Sequence, residues 1–255
     1  MIPNPTERFT GRVESYRRFR PTYPPAIVDL LRRECSLGFG SQIADIAAGT
    51  GLLTELFLAA GFAVTAVEPN AEMRDACAAL QPRYPKFTLI DGAAEAIGLP
   101  DHSVDLITVA QAMHWFDLKK TRAEFNRIVK PGGWCAVIYN NRRISGDGFH
   151  DAYEQLLIDY GIDYREVRHR HFPEESTAEF FAPSPMRRAN FPNPQALTLE
   201  ALEGRILSSS YMPQPGHPRF DAMRVATERL HAENERNGKV TLQQDCVVCY
   251  GRLAF

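Results

Sequence analysis

The sequence predicts an α/β protein whose mostly parallel sheet carries helices on both faces. Two observations lead there. Short apolar runs alternate with helical patterns from residue 42 to residue 140, and strands joined through helices pair in parallel. The stretch "IADIAAGTGLLTELFLAAGFAVTAVEPN", residues 43–70, reads as strand, glycine turn, helix, strand and then an acid. That is how an open α/β sheet holds a nucleotide-type ligand.

The elements follow in order. "YPPAIVDLLRREC" is helical, with Pro24 and Pro25 in its first turn and Ile27, Leu30, Leu31 and Cys35 on one face. Strand one spans 42–47, a helix 51–60 ends on Gly61, and strand two spans 62–68. "NAEMRDACAALQ" is a short helix with Met73, Cys77 and Leu80 on one side. "KFTLID" and "VDLITVAQ" are strands three and four. In "FDLKKTRAEFNRIVKPGG", Asp117 caps a helix with Leu118, Phe125 and Ile128 inward, and Pro131, Gly132 and Gly133 stop it. "WCAVIYN" is strand five.

The rhythm then breaks. Residues 142–185 hold one helical pattern (Phe149, Tyr153, Leu156, Leu157, Tyr160) and then the charged stretch "DYREVRHRHFPEES". A strand is expected at 186–191, helices near 198–209 and 219–236, and a closing strand at 239–250. The chain is expected to be one domain over 1–255. Within it, 142–185 and 195–238 are insertions that cap the open edge, and 1–21 is a lid.

Composition narrows the function. The 255-residue chain has 44% hydrophobic and 24% charged residues and a formal charge of −2. No global electrostatic case exists for nucleic acid or a membrane surface as partner. The first twenty residues lack an apolar core of signal type, and no run approaches the ~18 apolar residues of a membrane span. Five scattered cysteines suit a reducing compartment, so a cytoplasmic protein is expected. Cys246 and Cys249 sit three apart on a strand and point to opposite faces, which argues against a metal or redox pair. No metal is expected. In "YREVRHRHF", Arg165, Arg168, His169, Arg170 and His171 read as a solvated charged face.

The glycine turn limits the ligand. A dinucleotide fingerprint needs three glycines, yet Thr54 takes the third place after Gly49 and Gly51. A phosphate loop needs a lysine at the helix start, and "GTGLLT" has none. Asp45, in the strand before the turn, would repel a pyrophosphate but suits an ammonium or sulfonium. Glu68, at the end of strand two, can accept both hydroxyls of a ribose. The ligand therefore reads as a cationic ribonucleoside without phosphates, a description S-adenosylmethionine meets.

Four motifs in order carry a family resemblance. "DIAAGTG", "VEPNAEM", "DGAAEAIGLPDHSVDLITVAQAMHWFD" and "EFNRIVKPGGWCAVI" resemble those of class I S-adenosylmethionine-dependent methyltransferases over most of residues 8–140. "AMHWFD", the run Tyr16 to Pro24 and "RILSSSYMPQPG" look like the trans-aconitate methyltransferase-like, type 11 branch. The resemblance implies a Rossmann-like seven-stranded sheet of order 3-2-1-4-5-7-6, strand 7 antiparallel.

It also implies roles. Backbone at Ala47 and Gly49, in the turn that includes Gly51, would contact the methionine part of the cofactor, with Asp45 near its ammonium. Glu68 would hold the ribose, Pro69 and Met73 would flank the adenine, Ala94 and Glu95 would meet its edge, and Gln111 would lie beside the methionine. Many relatives carry an aspartate where this chain has Ala93, which shifts the adenine contact to Glu95 or backbone. Tyr16 and Arg20 belong to the expected lid.

On the acceptor side, His114 follows strand four, where open sheets bind substrate, and its ordinary pKa of ~6.5 suits a catalytic base. Trp115 and Phe116 are candidate pocket walls, and Ser208 and Tyr211 candidate acceptor contacts. The expected activity is methyl transfer from S-adenosylmethionine to oxygen, carboxylate or hydroxyl, of a small molecule, leaving S-adenosylhomocysteine. If the acceptor is a carboxylate, positioning and desolvation suffice without a base. The rivals are a tRNA or rRNA methyltransferase, an NAD-dependent oxidoreductase, and a protein that binds S-adenosylmethionine without transferring its methyl group.

Overall fold

The computed structural model describes residues 11–168 and 174–253. In chain order the strands are β1 (Gln42–Ile46), β2 (Ala63–Val67), β3 (Phe87–Ile90), β4 (Val104–Ala110), β5 (Val129–Arg142), β6 (Arg187–Pro192), β7 (Gln195–Leu197), β8 (Val240–Leu242) and β9 (Gln244–Arg252). The helices are α1 (Val13–Phe19), α2 (Ala26–Glu34), α3 (Leu52–Ala59), α4 (Ala71–Ala78) and α5 (Leu118–Ile128), followed by α6 (Gly148–Tyr160), α7 (Tyr164–Arg168), α8 (Glu174–Phe181), α9 (Leu199–Leu207) and α10 (Phe220–Asn234).

Seven strands form one sheet in the order β3-β2-β1-β4-β5-β9-β6. Strand β9 runs antiparallel to β5 and β6, while β1 to β5 pair in parallel. This is the expected topology, with β9 in the seventh strand's place. One face buries Ile27 and Leu31 of α2 and Phe57 of α3 against Leu106 and Ile138. The other buries Phe125 and Ile128 of α5 and Phe180 and Phe181 of α8 against Ile107 and Val137. Both faces are thus sealed, as the apolar runs of β1 and β4 require.

A third apolar cluster, built from Tyr153, Leu157, Leu202, Ile206, Met223, Leu230 and Leu242, joins α6, α9, α10 and the β7–β8 hairpin. These elements stand beyond the end of β5. The expected closing strand splits at Gln243, because β8 pairs with β7 and β9 with β5. An apolar pattern cannot show that one run serves two sheets. The helix of strand five's approach also ends earlier than its Pro-Gly-Gly stop. Carbonyls of Arg127 and Ile128 accept from the amides of His102 and Ser103, which draws the chain into β5 at Val129. The charged stretch holds α7, with Arg165 exposed; His169, Arg170 and His171 lie outside the described residues.

The described part of the segment expected as a lid, residues 11–21, carries α1, which docks on α9. The Arg12 guanidinium donates to the carbonyls of Leu207, Ser209 and Met212 at 3.0, 2.8 and 2.9 Å. The Phe19 ring lies on Gly204, where a Cβ would come within 2.0 Å of Phe19 Cδ2. At the other end, the Gly11 amide donates to Glu72 of α4 at 2.7 Å. Alanine ordinarily gains ~1 kcal/mol over glycine inside a helix. Gly204→Ala is nonetheless expected to displace α1. Limited trypsinolysis should cut after Arg17, Arg18 and Arg20 about tenfold faster, which corresponds to ~1.4 kcal/mol of lost docking. An unchanged cleavage pattern would refute the docking argument.

Candidate active site

The central strands β1 and β4 lie side by side, and the chain leaves them for helices on different flanks of the sheet. Open α/β sheets bind ligands at such a switch point, beyond the carboxyl ends of the strands. Here the first residue after each strand, Ala47 and Gln111, is left-handed, with φ of 54° and 59°. Non-glycine residues in that region cost of order 1 kcal/mol or more each, and such strain clusters at functional sites. The two amides beside the gap are tied down: Ala48 donates to the Val67 carbonyl at 3.1 Å, and Gln111 to Ile138 at 3.0 Å.

A cleft of about 290 Å³ opens there. Ala47 and Gly49 form one wall, Glu68, Pro69, Asn70 and Met73 the next, and Ala93, Ala94 and Glu95 a third. Gln111, Trp115 and Phe116 close the far side, and Tyr16 of α1 reaches it from the lid. No lysine or arginine is among these residues. The two glycines of the turn differ in purpose. Gly49 has φ 59° with open space where a Cβ would be, so its backbone faces the cleft. Gly51 has φ 87° and turns to α4, where a Cβ would lie 2.7 Å from Leu80 Cδ1 and 2.9 Å from Cys77 Sγ. It joins two helices rather than lining the cleft.

Two carboxylates end β1 and β2. Glu68 is 6% exposed, and its oxygens accept from the amides of Gly49 at 2.8 Å and Asn70 at 2.9 Å. Burial raises its pKa all the same. Asp45 is 1% exposed and is held by two hydroxyls, Thr54 Oγ1 at 2.6 Å and Thr108 Oγ1 at 2.9 Å. Burial, with Glu68 adding repulsion, pushes its carboxyl up to about 6. It borders a small cavity of about 20 Å³ that shares Tyr16, Ala47 and Ala110 with the main cleft. Thr54, noted in the sequence only as a missing glycine, is thus a donor to Asp45.

Other expected site residues take supporting positions. Glu95 accepts from the Asp117 amide at 2.8 Å and so pins the start of α5. Arg20 lies outside the cleft walls, with its guanidinium 5.1 Å over the Tyr16 ring and a 2.9 Å bond to the Ser208 carbonyl. The Ser208 hydroxyl is fully buried and donates to the Arg205 carbonyl of its own helix at 2.7 Å. The Tyr211 ring packs 4.8 Å from Tyr164 in the cap. His114 sits in a short 3-10 turn, Met113–Trp115, with its ring 4.5 Å from Trp115 and 6.4 Å from Tyr139. It is not among the residues that line the cleft, although its neighbours Trp115 and Phe116 are.

Sequence reasoning passed over Asn70, Thr108, Arg12, Arg142 and Arg205. Asn70 carried a signal: it precedes a helix and caps it, accepting from the Met73 amide at 2.9 Å. Arg12 had none, because the carbonyls it meets lie 195 or more residues away, and Arg142 and Arg205 come near Arg20 only on folding.

A sheet of this order, with its cleft at the switch point, defines a Rossmann-like α/β fold. Residues 44–137 match the family described as methyltransferase domain. An uncharacterized methyltransferase of Mycobacterium tuberculosis is 38% identical over 52% of this chain and 52% of its own length. An uncharacterized methyltransferase-like protein of Schizosaccharomyces pombe is 29% identical over 97% of this chain and 93% of its own. Among solved structures, a protein of Anaeromyxobacter dehalogenans assigned to the type II methyltransferases superposes with a TM-score of 0.63, at 23% identity, over 91% of this chain and 97% of that one. A SAM dependent methyltransferase from Aquifex aeolicus gives 0.54, at 15% identity, over 95% and 98%. Residues 44–137 are thus similar to a methyltransferase domain, and the chain shares the fold of these solved structures. It spans about half the length of the curated relatives it matches at 38% identity. No helix among the described residues is long and apolar enough to cross a membrane.

The burial of Asp45 gives a stability test. Its folded pKa of about 6 lies above the ordinary 3.8. The folded state therefore holds the extra proton between these values, and stability falls as pH rises from ~4 to ~6. Above that window the ionised carboxyl costs roughly 3 kcal/mol at ~1.4 kcal/mol per pKa unit. Asp45→Asn should melt at the same or a higher temperature than the wild type at pH 8. Its advantage should vanish by pH 4, as read by thermal unfolding across the range.

Proposed function

We propose that the protein transfers the methyl group of S-adenosylmethionine to an oxygen, carboxylate or hydroxyl, of a small-molecule acceptor. The observation that carries this reading is Glu68 in the cleft and Asp45 in the small cavity adjoining it, with no lysine or arginine among the described residues that line either. Such a site disfavours phosphates and favours a cationic ribonucleoside. The residues present fit S-adenosylmethionine. Glu68 keeps lone pairs free for two ribose hydroxyls beyond the two amides it accepts. Pro69 and Met73 offer apolar surface to a base, with Ala94 and Glu95 along its edge. Gly49 and the left-handed Ala47 bring backbone close to the ligand, and Gln111 faces it from β4.

When bound, S-adenosylmethionine supplies an electrophilic methyl on a sulfonium. The chain's own work is to hold the acceptor oxygen in line with it and to exclude water. The lid, with Tyr16 at the cleft, covers one side. The cap of α6, α9, α10 and the hairpin covers the acceptor, with Ser208 and Tyr211 on its inner elements. A hydroxyl acceptor needs a base, and His114 is the candidate, reached past Trp115; a carboxylate needs none. An RNA acceptor is disfavoured by the formal charge of −2 and by a cleft with no lysine or arginine among its described lining residues.

Calorimetric titration with S-adenosylmethionine and S-adenosylhomocysteine tests the cofactor half, and the absence of binding would sink it. Glu68→Gln should weaken both by ten- to a hundredfold, since bonds to charged groups contribute ~1.5–3 kcal/mol. Asp45→Asn should weaken the methyl donor about tenfold. The acceptor half is tested by incubating metabolite extract and bulk tRNA separately with methyl-labelled S-adenosylmethionine. Label is expected in a small product, identified by mass; label in the tRNA alone would overturn the small-molecule assignment.

A further inference from the structure

The cap buries more positive charge than it neutralises. Arg142 ends β5, Arg205 lies on α9 and Arg20 follows α1; the Arg205 guanidinium interacts with the other two and with Tyr153 and Tyr211, and all three face Tyr153. Arg205 is 7% exposed, and the Arg142 side chain 13%. One carboxylate, Glu154, bonds Arg142 and accepts from the Tyr164 hydroxyl at 2.8 Å. That pairing satisfies one cation of three.

The donors tell the same story. Arg20 Nε, Arg142 Nη1 and Arg205 Nε are buried with no protein acceptor. Gln244, opposite Arg142 in the β5–β9 register and 4% exposed, has both amide atoms unpartnered as well. Directly opposed residues of an antiparallel pair share a face, so Gln244 adds its amide to the same space. Arg12, by contrast, spends its donors on three carbonyls and serves the lid.

Structure alone gives little reason for this arrangement. Burying unpaired cations costs several kcal/mol each, and an apolar replacement of similar size is often more stable. Burial, with Arg20 nearby, depresses even Arg205, down to about 10. Perturbed buried groups cluster at functional sites. The cluster also connects to the cofactor cleft: Arg20 lies over the Tyr16 ring on one side and bonds the end of α9 on the other.

We propose that Arg20, Arg142 and Arg205 form a subsite that holds a doubly charged oxyanion group of the methyl acceptor, with Gln244 as an added hydrogen-bond partner. This rests on the methyltransferase reading above and names the acceptor's chemistry. Two uncompensated guanidiniums match two negative charges, as two carboxylates or one phosphoryl group. The guanidinium fork binds either in pairs of parallel hydrogen bonds. The anionic end is held in the cap, and the oxygen to be methylated faces the cleft.

The test is a titration of the full chain, with and without saturating S-adenosylhomocysteine, using succinate, citrate, inorganic phosphate and uncharged succinamide. The expected result is that an anion raises the melting temperature and binds measurably, while succinamide does not. Preference for the carboxylates or for phosphate identifies the source of the oxyanion. Arg205→Met should weaken anion binding at least tenfold, leave S-adenosylhomocysteine affinity within twofold, and melt no lower than the wild type. The double variant Arg142→Met with Glu154→Gln, which leaves no unpaired carboxylate, should do the same. No preference for the anions over succinamide, or unchanged anion binding in both variants, overturns the subsite. Lower melting temperatures with unchanged anion affinity would make the arginines structural. Failure of S-adenosylhomocysteine to bind would instead overturn the methyltransferase reading, and the titration without it still decides the subsite.

Discussion

Two carboxylates in the interior, at the ends of adjacent parallel strands, are the constraint around which the nucleotide half of the fold is arranged. Asp45 and Glu68 repel each other and are both nearly dry, so each needs fixed donors to be tolerated at all. Thr54 comes from the first turn of α3 and Thr108 from β4, and they take Asp45 from two sides. The amides of Gly49 and Asn70 take Glu68 from the glycine turn and from the cap of α4. The register of β1 against β2 and β4, the φ of Gly49 and the start of α4 are thereby coupled to two acids. Donors lower the cost without removing it, and Asp45 remains poised near 6. A bound cation would remove the remainder.

The elements outside the sheet answer to the same site. Helix α1 is short and would be marginal alone. Phe19 on Gly204 and Arg12 on three carbonyls fix it across the rim, so that Tyr16 faces the cleft. Arg20 then joins the lid to the cap. The N-terminal segment and the outer helices are therefore linked through the end of α9.

Much of this was legible in the chain. The mostly parallel sheet followed from alternating patterns, and its strand order from the family resemblance that four motifs carry. The acids were legible because their positions relative to a glycine turn have few physical meanings. What stayed hidden is of two kinds. Local geometry without a residue signature, such as the left-handed Ala47 and Gln111, leaves no trace in composition. Contacts between distant segments leave none either: Arg142 reads as a strand end and Arg205 as one helical position, and only folding places them near Arg20. Thr54 is the intermediate case. It was read as the lack of a glycine, although its hydroxyl, nine residues from Asp45, is what steadies the acid.

The opposed charges of the two halves bear on rate as well as binding. Carboxylates end the strands beside the cleft and guanidiniums lie buried in the cap, so the two halves of the fold carry opposed charges. On the proposed reading, a cationic sulfonium sits toward the acids and an anionic acceptor toward the arginines. Methyl transfer to an anionic oxygen then consumes one positive and one negative charge. A reaction that neutralises charge is favoured as the surroundings become less polar, because the separated reactants lose more solvation than the more neutral transition state. Lid and cap supply that loss of water. The second charge of the acceptor, held by arginines that do not react, anchors the molecule while the first is consumed. Binding energy from the remote group thus keeps the reacting oxygen aligned, which is why such a site can work without a strong base.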